Sequence, residues 1–105
     1  ILGVTFKENC PDVRNTKVVE IYAELKQFGL EVDLWDPWAS QAEVKHEYGI
    51  DIISNIPEDK TYDVILLAVA HNEFLTLDFN KIKNENTVIF DAKAILNRDI
   101  VDSRL

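Results

Sequence analysis

The sequence is poor in residues that mark several common protein classes. It has a single cysteine, Cys10, among 105 residues, which excludes an internal disulfide and favours a cytoplasmic location. No apolar run is long enough to cross a membrane, and no signal-peptide pattern opens the chain. Of its three glycines only Gly3 falls in the first strand–loop–helix unit, so the dinucleotide-binding fingerprint G-x-G-x-x-G is absent. The sequence therefore predicts a domain that does not itself hold a dinucleotide in the Rossmann manner.

Positive charge is also scarce. The 11 lysines and arginines are outnumbered by 19 acidic residues, and the net charge is −8. Binding to nucleic acid or to an anionic membrane requires clustered positive charge, so neither is predicted as a general function. A single phosphorylated ligand, held by two or three local cations, remains compatible with this charge. Two histidines far apart in sequence and one cysteine do not predict a transition-metal site.

Methionine is absent, and the chain begins at Ile1 directly in strand-like residues. We interpret this beginning as a sign that the sequence is a piece of a longer protein. Its length and its 47% hydrophobic residues predict a single globular domain over residues 1–105, with a core of its own.

Hydrophobic periodicity predicts two helices. The first spans residues 16–28, with an N-cap at residue 15 or 16 and Gly29 as its C-terminal stop. The capping box Ser40-Gln41-Ala42-Glu43 opens a second, shorter helix, and Gly49 ends it.

Five short segments are predicted as strands because they are apolar throughout or alternate in polarity; they span residues 1–5, 30–35, 50–53, 62–70 and 87–91. Residues 72–82 are predicted as a broken helical connection, and residues 94–105 as a tail with a short helical turn. This rhythm predicts an α/β fold, a three-layer doubly wound parallel sheet of about five strands in the Rossmann-like order 3-2-1-4-5.

The loop at residues 6–15 is the strongest candidate for a binding site. It leaves the first predicted strand and enters the first helix, at the edge where open α/β sheets bind their ligands. It carries Lys7 and Arg14 beside a helix N-terminus, and all three features favour an anion. Each cation also has a plainer interpretation: Lys7 as a solvated surface lysine, and Arg14 as the local partner of Asp12.

Other polar residues near the same edge are given structural roles. Cys10 precedes a proline and has no histidine nearby in sequence, so it is predicted to be an inert thiol. His71 is predicted to be a strand-end hydrogen-bonding group, and His46 to be exposed on a helix. Asp36, which precedes a proline, is predicted to be a turn and helix-entry device.

The loop sequence resembles a known family segment. Residues 3–15 match G-x-x-F-K-x-x-x-x-D-x-R, the segment that opens the C-terminal, UDP-binding domain of the UDP-glucose/GDP-mannose dehydrogenase family. The resemblance covers essentially the whole chain and continues through three later segments: Val32-Asp33-Leu34-Trp35-Asp36-Pro37, His71-Asn72-Glu73-Phe74 and Val88-Ile89-Phe90-Asp91-Ala92-Lys93. The first segment looks most like the branch that oxidises UDP-N-acetylhexosamines for surface polysaccharide, or capsule, synthesis.

This resemblance implies an activity shared between domains. Family members carry out an NAD-dependent, two-step oxidation of a sugar C6 alcohol to a carboxylate, through a catalytic cysteine. That cysteine motif and the N-terminal Rossmann domain that mainly binds NAD are not in this sequence. Cys10 does not match the motif, so no catalytic residue is assigned. The domain would bind the UDP-sugar, contact the N-terminal and central domains of the same chain, and belong to a homodimer or larger assembly.

The resemblance also implies roles for four residues. By position, Phe6 and Lys7 would contact the nucleotide-sugar, and Arg14 would reach the NAD held by the partner domain. Lys93 would contact substrate where relatives often have arginine in an Asp-Gly-Arg segment. Here the segment reads Asp-Ala-Lys, and a lysine acts as a point charge, not as a bidentate clamp.

Two other classes of function stay open on the sequence. One is a stand-alone nucleotide-binding or regulatory module of the same fold. The other is a scaffold or oligomerisation domain, in which the acidic surface together with Trp35 and Trp38 forms subunit contacts.

Overall fold

Helix α1 spans Val18–Gln27 in the computed structural model, which describes residues 1 to 104, with the backbone alone for residues 103 and 104. It is shorter than the predicted 16–28, and its N-cap is Lys17, which offers no side-chain cap. Thr16 acts one residue earlier, because its hydroxyl accepts a hydrogen bond from the Val18 N–H at 3.2 Å. Gly29 adopts a φ of +84° just past the helix, as a C-terminal stop requires.

Helix α2, Gln41–Tyr48, begins and ends as predicted. The Ser40 hydroxyl accepts from the Glu43 N–H at 3.3 Å, which is the capping-box bond. Gly49 follows in the left-handed conformation, with φ +71°, and its N–H donates to the Lys45 carbonyl.

Over the residues that the structure describes, the regular sheet contains three parallel strands, β1 (Tyr62–Leu67), β2 (Lys83–Asp91) and β3 (Ser103–Arg104), in that order. β1 ends before the predicted residue 70, and just past it the Ala68 N–H donates to the Leu2 carbonyl as part of the parallel bridge between Leu2 and Leu67. β2 begins four residues before the predicted residue 87. Its first four residues are polar and give no strand signal, but Lys83 pairs with Tyr62, and a register shift separates this pair from the pairing of Val64 with Val88.

The first three predicted strands are present only as single parallel bridges. These bridges join Leu2 to Trp35, Leu2 to Leu67, and Trp35 to Ile53. The predicted strands at residues 1–5, 30–35 and 50–53 are therefore too long. Gly3 gives one reason, since its φ of +100° interrupts an extended backbone directly after Leu2. The α/β class with a parallel sheet is confirmed, while the five-strand order 3-2-1-4-5 stays a prediction.

The core consists of two clusters of buried side chains. One joins the inner residues of β1 and β2 to the connection between them; its members are Leu2, Ile65, Leu67, Phe74, Phe79, Ile82, Ile89 and Leu96. The other joins the helices to the first loop; its members are Val4, Val13, Val18, Leu34, Val44, Ile50, Ile52 and Val69. The loop at residues 6–15 is anchored in this second cluster through Val4 and Val13.

The two irregular segments largely follow the sequence. The connection at residues 72–82 contains two short 3-10 helices, Asn72–Leu75 and Phe79–Lys81, as its broken pattern predicts. The tail has one 3-10 turn, Arg98–Ile100, before β3. Leu105, the last residue of the predicted tail, lies outside the described residues. None of the helices in the described part of the chain is long and apolar enough to cross a membrane.

Candidate functional site

The loop that follows Thr5 is closed at its ends, and residues 6–9 are all exposed. The Phe6 N–H donates to the Asp12 carbonyl at 2.7 Å, which brings the two ends of the loop together. Phe6 and Lys7 both point to solvent, and Phe6 is 58% exposed despite its size. The buried Thr5 hydroxyl donates to the Lys7 carbonyl at 3.0 Å, and this bond fixes the backbone of Lys7 to the buried end of the first segment.

Asn9 fixes the far side of the loop in an uncommon conformation. Its φ of 54° is left-handed, a region that asparagine tolerates better than most residues. Its N–H donates to His71 Nδ1 at 2.9 Å, and its Oδ1 accepts from the Asn72 N–H at 2.9 Å. Two hydrogen bonds therefore connect this loop to the chain that leaves β1.

His71 is fully buried, and its contacts define its tautomer. Because Nδ1 accepts the Asn9 N–H, the ring proton resides on Nε2. Nε2 lies 2.9 Å from Asp36 Oδ2 and 3.0 Å from Thr5 Oγ1. The Thr5 hydroxyl has already given its proton to Lys7, so both of these oxygens accept from Nε2–H. The imidazole thus acts as a strand-end hydrogen-bonding group, as predicted.

Asp36 is buried to 4% exposure and accepts five hydrogen bonds. Oδ2 accepts from the Val4 and Thr5 N–H groups and from His71, while Oδ1 accepts from the N–H groups of residues 38 and 39. Burial acts most strongly and raises the pKa of Asp36, but the bonds from His71, Val4 and Trp38 together outweigh it and leave the pKa below its usual value. The carboxylate is therefore held ionised beneath the loop.

Trp38 covers His71 from the solvent side. Its ring stacks on the imidazole with centroids 6.0 Å apart and planes 25° apart, and its Nε1–H donates to Glu73 at 3.0 Å. Phe74 also contacts the imidazole, with ring centroids 5.4 Å apart and planes 58° apart. Trp35, the other tryptophan proposed for subunit contacts, is half-buried and packs against Phe74 within the domain.

Arg14 forms the local ion pair that the sequence left open. Its Nε and Nη2 donate to the two carboxylate oxygens of Asp12, each at 3.0 Å. This bidentate bond lowers the pKa of Asp12 to about 2, and it raises the pKa of Arg14 with additional attraction from Glu43 and Glu47. The Arg14 side chain is 78% exposed, and its Nη1 takes no part in the pair.

An open groove of about 780 Å³ brings together Phe6, Arg14 and the first turn of α1. Thr16 and Lys17 line it just before α1, and Glu20 and Glu47 line it as well. An anion there would meet a helix N-terminus and cations, but also two carboxylates. Lys7 and Lys93 are not among its lining residues. The structure thus joins two of the four predicted site residues in one groove and leaves the other two on the exposed surface around it.

Lys93 lies in a tight turn after β2. The buried Asp91 organises this turn, because its two oxygens accept from the Lys93 N–H at 3.0 Å and the Leu96 N–H at 2.8 Å. The Lys93 side chain is exposed. Asp91 is register-paired with Leu67, and Leu67 is bridged to Leu2, so the turn leaves the sheet at the same edge as the first loop.

Two other reactive side chains were given plain roles from the sequence. His46 is exposed on α2, as predicted. Cys10 is a free, half-buried thiol, and its inertness stays a prediction. Among the described residues, no cluster of three or more histidines, cysteines or carboxylates is placed to hold a metal ion.

The hydrogen bonds that two buried aspartates, Asp36 and Asp91, accept were not predicted from the sequence. Asp36 is a turn device only in part, since it also binds the N–H groups of Val4 and Thr5 and the ring of His71. The sequence did carry a signal for this role. If the first apolar segment stops pairing early, its last N–H groups are buried without a strand partner, and a side chain of the neighbouring segment must accept them. Asp91 had the simpler signal of an aspartate at a strand end, where its side chain favours a turn.

Comparison with known proteins finds one family and several relatives. The family model described as "UDP-glucose/GDP-mannose dehydrogenase family, UDP binding domain" matches residues 1–98. UDP-N-acetyl-D-glucosamine 6-dehydrogenases of Pseudomonas aeruginosa and Salmonella typhi are 45% and 40% identical to the chain over 108 aligned positions, which cover 100% of it. Protein CapL of Staphylococcus aureus is 44% identical over 101 positions, or 94% of the chain.

These matches cover only a part of each relative. The aligned region is 25% of the two dehydrogenases and 24% of CapL. The chain thus spans about a quarter of the length of the relatives it matches.

Proposed function

We propose a function from one premise: this chain belongs to the UDP-glucose/GDP-mannose dehydrogenase family, in which it corresponds to the UDP-binding domain. We infer that it is the C-terminal, UDP-sugar-binding domain, residues 1–105, of an NAD-dependent nucleotide-sugar 6-dehydrogenase. Its substrate is a UDP-N-acetylhexosamine, whose C6 alcohol is oxidised to a carboxylate for surface polysaccharide synthesis. The names of the most similar relatives support this substrate class.

The observation that carries the proposal is the exposed Lys7 on a rigidly supported loop. Its side chain is free of the ion pairs described in the structure, while its carbonyl is held by Thr5. A pyrophosphate brought to this loop would gain an ammonium contact without first breaking an internal salt bridge. In a chain with a net charge of −8, such a local cation is needed to offset the unfavourable field.

Phe6 and Lys93 complete the proposed substrate contacts. The 58% exposed ring of Phe6 offers a flat apolar surface to the nucleotide-sugar. Lys93 supplies a second positive charge from the turn after β2. This placement follows from the proposed strand order 3-2-1-4-5, which the single bridges at Leu2, Trp35 and Ile53 support.

NAD would be held mainly by a domain outside this chain, with Arg14 reaching it across the cleft. The groove residues fit that role, because Arg14 keeps Nη1 outside its pair with Asp12 and remains largely exposed. When bound, NAD would accept the hydride from the sugar. The contribution of this chain is to bind and orient the substrate, and we expect the isolated domain to be inactive.

The assembly around the domain follows from the same proposal. We propose that it packs against the N-terminal and central domains of its own chain and that the complete enzyme is a homodimer or larger. The alternative of a scaffold domain built on Trp35 and Trp38 loses support, because both indoles have hydrogen-bond partners within the domain.

The decisive test is Lys7→Ala in the complete dehydrogenase. We expect the KM for the UDP-sugar to rise about tenfold or more, since a charge-assisted contact contributes about 1.5 to 3 kcal/mol, while the KM for NAD changes little. Lys26→Ala is the matched control, because it removes the same charge from the last turn of α1.

Steady-state kinetics with each substrate varied in turn would measure both constants. Equal values of the sugar KM in Lys7→Ala and the parent enzyme would refute the role of Lys7. Calorimetry with UDP then separates the remaining functions: UDP binding without any dehydrogenase activity would favour a regulatory module.

A further inference from the structure

We propose that His71 is a positioning residue for the UDP-sugar site: the imidazole, buried between Asp36 and Asn9, sets the loop conformation that presents Lys7. The inference rests on the proposed function, because it assigns a cause to the placement of the proposed substrate contact. His71 itself touches no substrate. Its role is carried by three direct contacts, with Asp36, Thr5 and Asn9.

The first step is that the imidazole has only one orientation that satisfies its neighbours. The ionised Asp36 is a pure acceptor and the Asn9 N–H is a pure donor, so Nε2 must carry the proton and Nδ1 must not. A ring flip would put carbon atoms against both groups and leave a buried carboxylate short of one donor. Stacking by Trp38 and contact with Phe74 further restrict the ring.

The second step connects the ring to the loop. On one side, Nδ1 holds the N–H of Asn9, and this bond supports a left-handed backbone that is unfavourable for most residues. On the other side, Nε2–H contacts the Thr5 hydroxyl, which in turn donates to the Lys7 carbonyl. The ring is therefore one hydrogen bond from Asn9 and two from Lys7.

The hydrogen bonds that hold the loop around Lys7 and Asn9 come from residues outside the loop. Within the described chain, the bond from the Phe6 N–H to the Asp12 carbonyl joins the two ends of the loop, and its other internal bonds link Asp12 to Arg14, away from Asn9. The other bonds to its tip come from Thr5, His71 and Asn72, and the last two of these leave β1. The chain after β1 therefore decides the tip conformation, and His71 is its central contact.

Two substitutions at residue 71 separate positioning from simple structural support. In His71→Asn, the amide oxygen can occupy the place of Nδ1 and accept the Asn9 N–H, but the contact with Asp36 is lost. In His71→Gln, the amide nitrogen can reach the place of Nε2 and donate to Asp36, but the acceptor for Asn9 is lost. Stability should favour glutamine, because an undersatisfied buried carboxylate is costly.

The kinetic order should be the reverse. We expect the KM for the UDP-sugar, measured in the complete dehydrogenase, to rise more in His71→Gln than in His71→Asn, by between about tenfold and about a hundredfold for the glutamine variant. The KM for NAD should stay near the parent value in both. A purely structural role predicts that the variant with the lower unfolding temperature also has the higher KM for the UDP-sugar. That result would overturn the proposal.

Asn9→Ala tests the same support without a change in the core. It removes the Oδ1 contact with Asn72 and disfavours the left-handed backbone, so the sugar KM should again rise. Asn84→Ala is the matched control, because Asn84 is also an exposed asparagine whose Oδ1 accepts a backbone N–H, that of Asn86, and it lies near the start of β2, outside the loop at residues 6–15. This pair keeps the proposal testable if the His71 variants fail to fold.

Nitrogen-15 NMR of the histidine rings supplies an independent readout, with a protonated Nε2 and an unprotonated Nδ1 expected for His71. The opposite tautomer would overturn the proposal. If Lys7→Ala raises the sugar KM while Asn9→Ala and folded His71→Gln leave it unchanged, positioning by His71 fails and the proposed function stands. If Lys7→Ala has no effect, the proposed function fails, and the positioning role fails with it.

Discussion

At the scale of single residues, Asp36 shows how a buried charge can be tolerated in this domain. Its two oxygens accept from four backbone N–H groups and one imidazole, and these five donors are enough to satisfy its roughly four lone-pair sites. These hydrogen bonds explain why the Asp36 carboxylate stays ionised although it is only 4% exposed. The same bonds join the Val4 segment, the Trp38 turn and His71 at one point under the proposed site.

Asp36→Asn should destabilise the domain strongly. The new amide nitrogen would face either the N–H groups of Val4 and Thr5 or those of residues 38 and 39, and donors would then meet donors. We expect a loss of about 3 to 5 kcal/mol in the free energy of unfolding at pH 7, measured by urea denaturation. Asp51→Asn, which disrupts only the exposed pair with Lys45, should change stability little.

The pH dependence of this difference has a definite sign. The pKa of Asp36 is lowered in the folded state, so its stabilisation is fully present above the unfolded-state pKa of about 3.9 and is lost as pH falls through the folded-state pKa. The gap between the parent protein and Asp36→Asn should therefore narrow in acid. A gap that is constant from pH 7 to pH 3 would contradict this account.

For the proposed site, the sequence carried clearer signals for the exposed residues than for the hydrogen bonds of the buried ones. Lys7 and Arg14 stand in a recognisable motif, and the pairing of Arg14 with Asp12 follows from a spacing of two residues. The bonds of Asp36 and His71 join residues 35 apart, and those of His71 and Asn9 join residues 62 apart. Such contacts depend on how segments lie side by side, which periodicity does not specify.

At the scale of secondary-structure elements, Gly3 determines how the first segment meets β1. Its φ is +100°, and a Cβ at this position would lie 2.6 Å from Val69 Cβ and 2.9 Å from the Val69 nitrogen. No real side chain tolerates such distances from backbone, so the two segments can approach only with glycine here. The single bridge at Leu2, in place of a longer strand, follows from the same backbone.

Gly3→Ala should therefore be severe. Overpacking and left-handed strain together predict a loss of about 2 to 6 kcal/mol in unfolding free energy. Gly29→Ala is the matched control, because Gly29 also has positive φ but a Cβ added there would meet open space, with no neighbouring atom within 4 Å. We expect it to cost only about 1 to 2 kcal/mol.

Thermal unfolding followed by circular dichroism would compare these two variants directly. Equal losses would mean that the approach to Val69 is not a constraint and that strain alone determines the cost. A smaller loss in Gly3→Ala than in Gly29→Ala would contradict the described packing.

Elements with local signals were predicted best. Helix α2 has its own cap and stop, Ser40 and Gly49, and its bounds match. The N-terminus of α1 lacks a side-chain cap at Lys17, and there the predicted boundary was wrong by two residues. The early start of β2 was missed because residues 83–86 are polar, and only Lys83 among them pairs with β1, across a register shift that depends on both strands together.

At the scale of the whole molecule, a net charge of −8 opposes the approach of an anionic nucleotide. The proposed site can succeed only because its cations act at contact distance while most carboxylates act from farther away. Salt separates the two, since the screening length falls from about 10 Å at 0.1 M to about 3 Å at 1 M. Long-range repulsion should disappear at moderate ionic strength, and contact attraction should persist to higher salt.

Lys7→Ala and Lys26→Ala test this separation, because each makes the chain one unit more negative. Lys26 lies in the last turn of α1, whose ten residues extend about 15 Å from the groove at its first turn. At low salt both variants should raise the KM for the UDP-sugar, the distant one only slightly. By about 0.1 M salt, where the screening length is shorter than that helix, the Lys26→Ala effect should be gone. The Lys7→Ala effect on KM should decline gradually and remain measurable at about 0.5 M salt, between the 0.1 M and 1 M at which the screening length is about 10 Å and about 3 Å. If the effects of both variants decline in parallel, Lys7 acts through the general field of the protein and not by contact with phosphate.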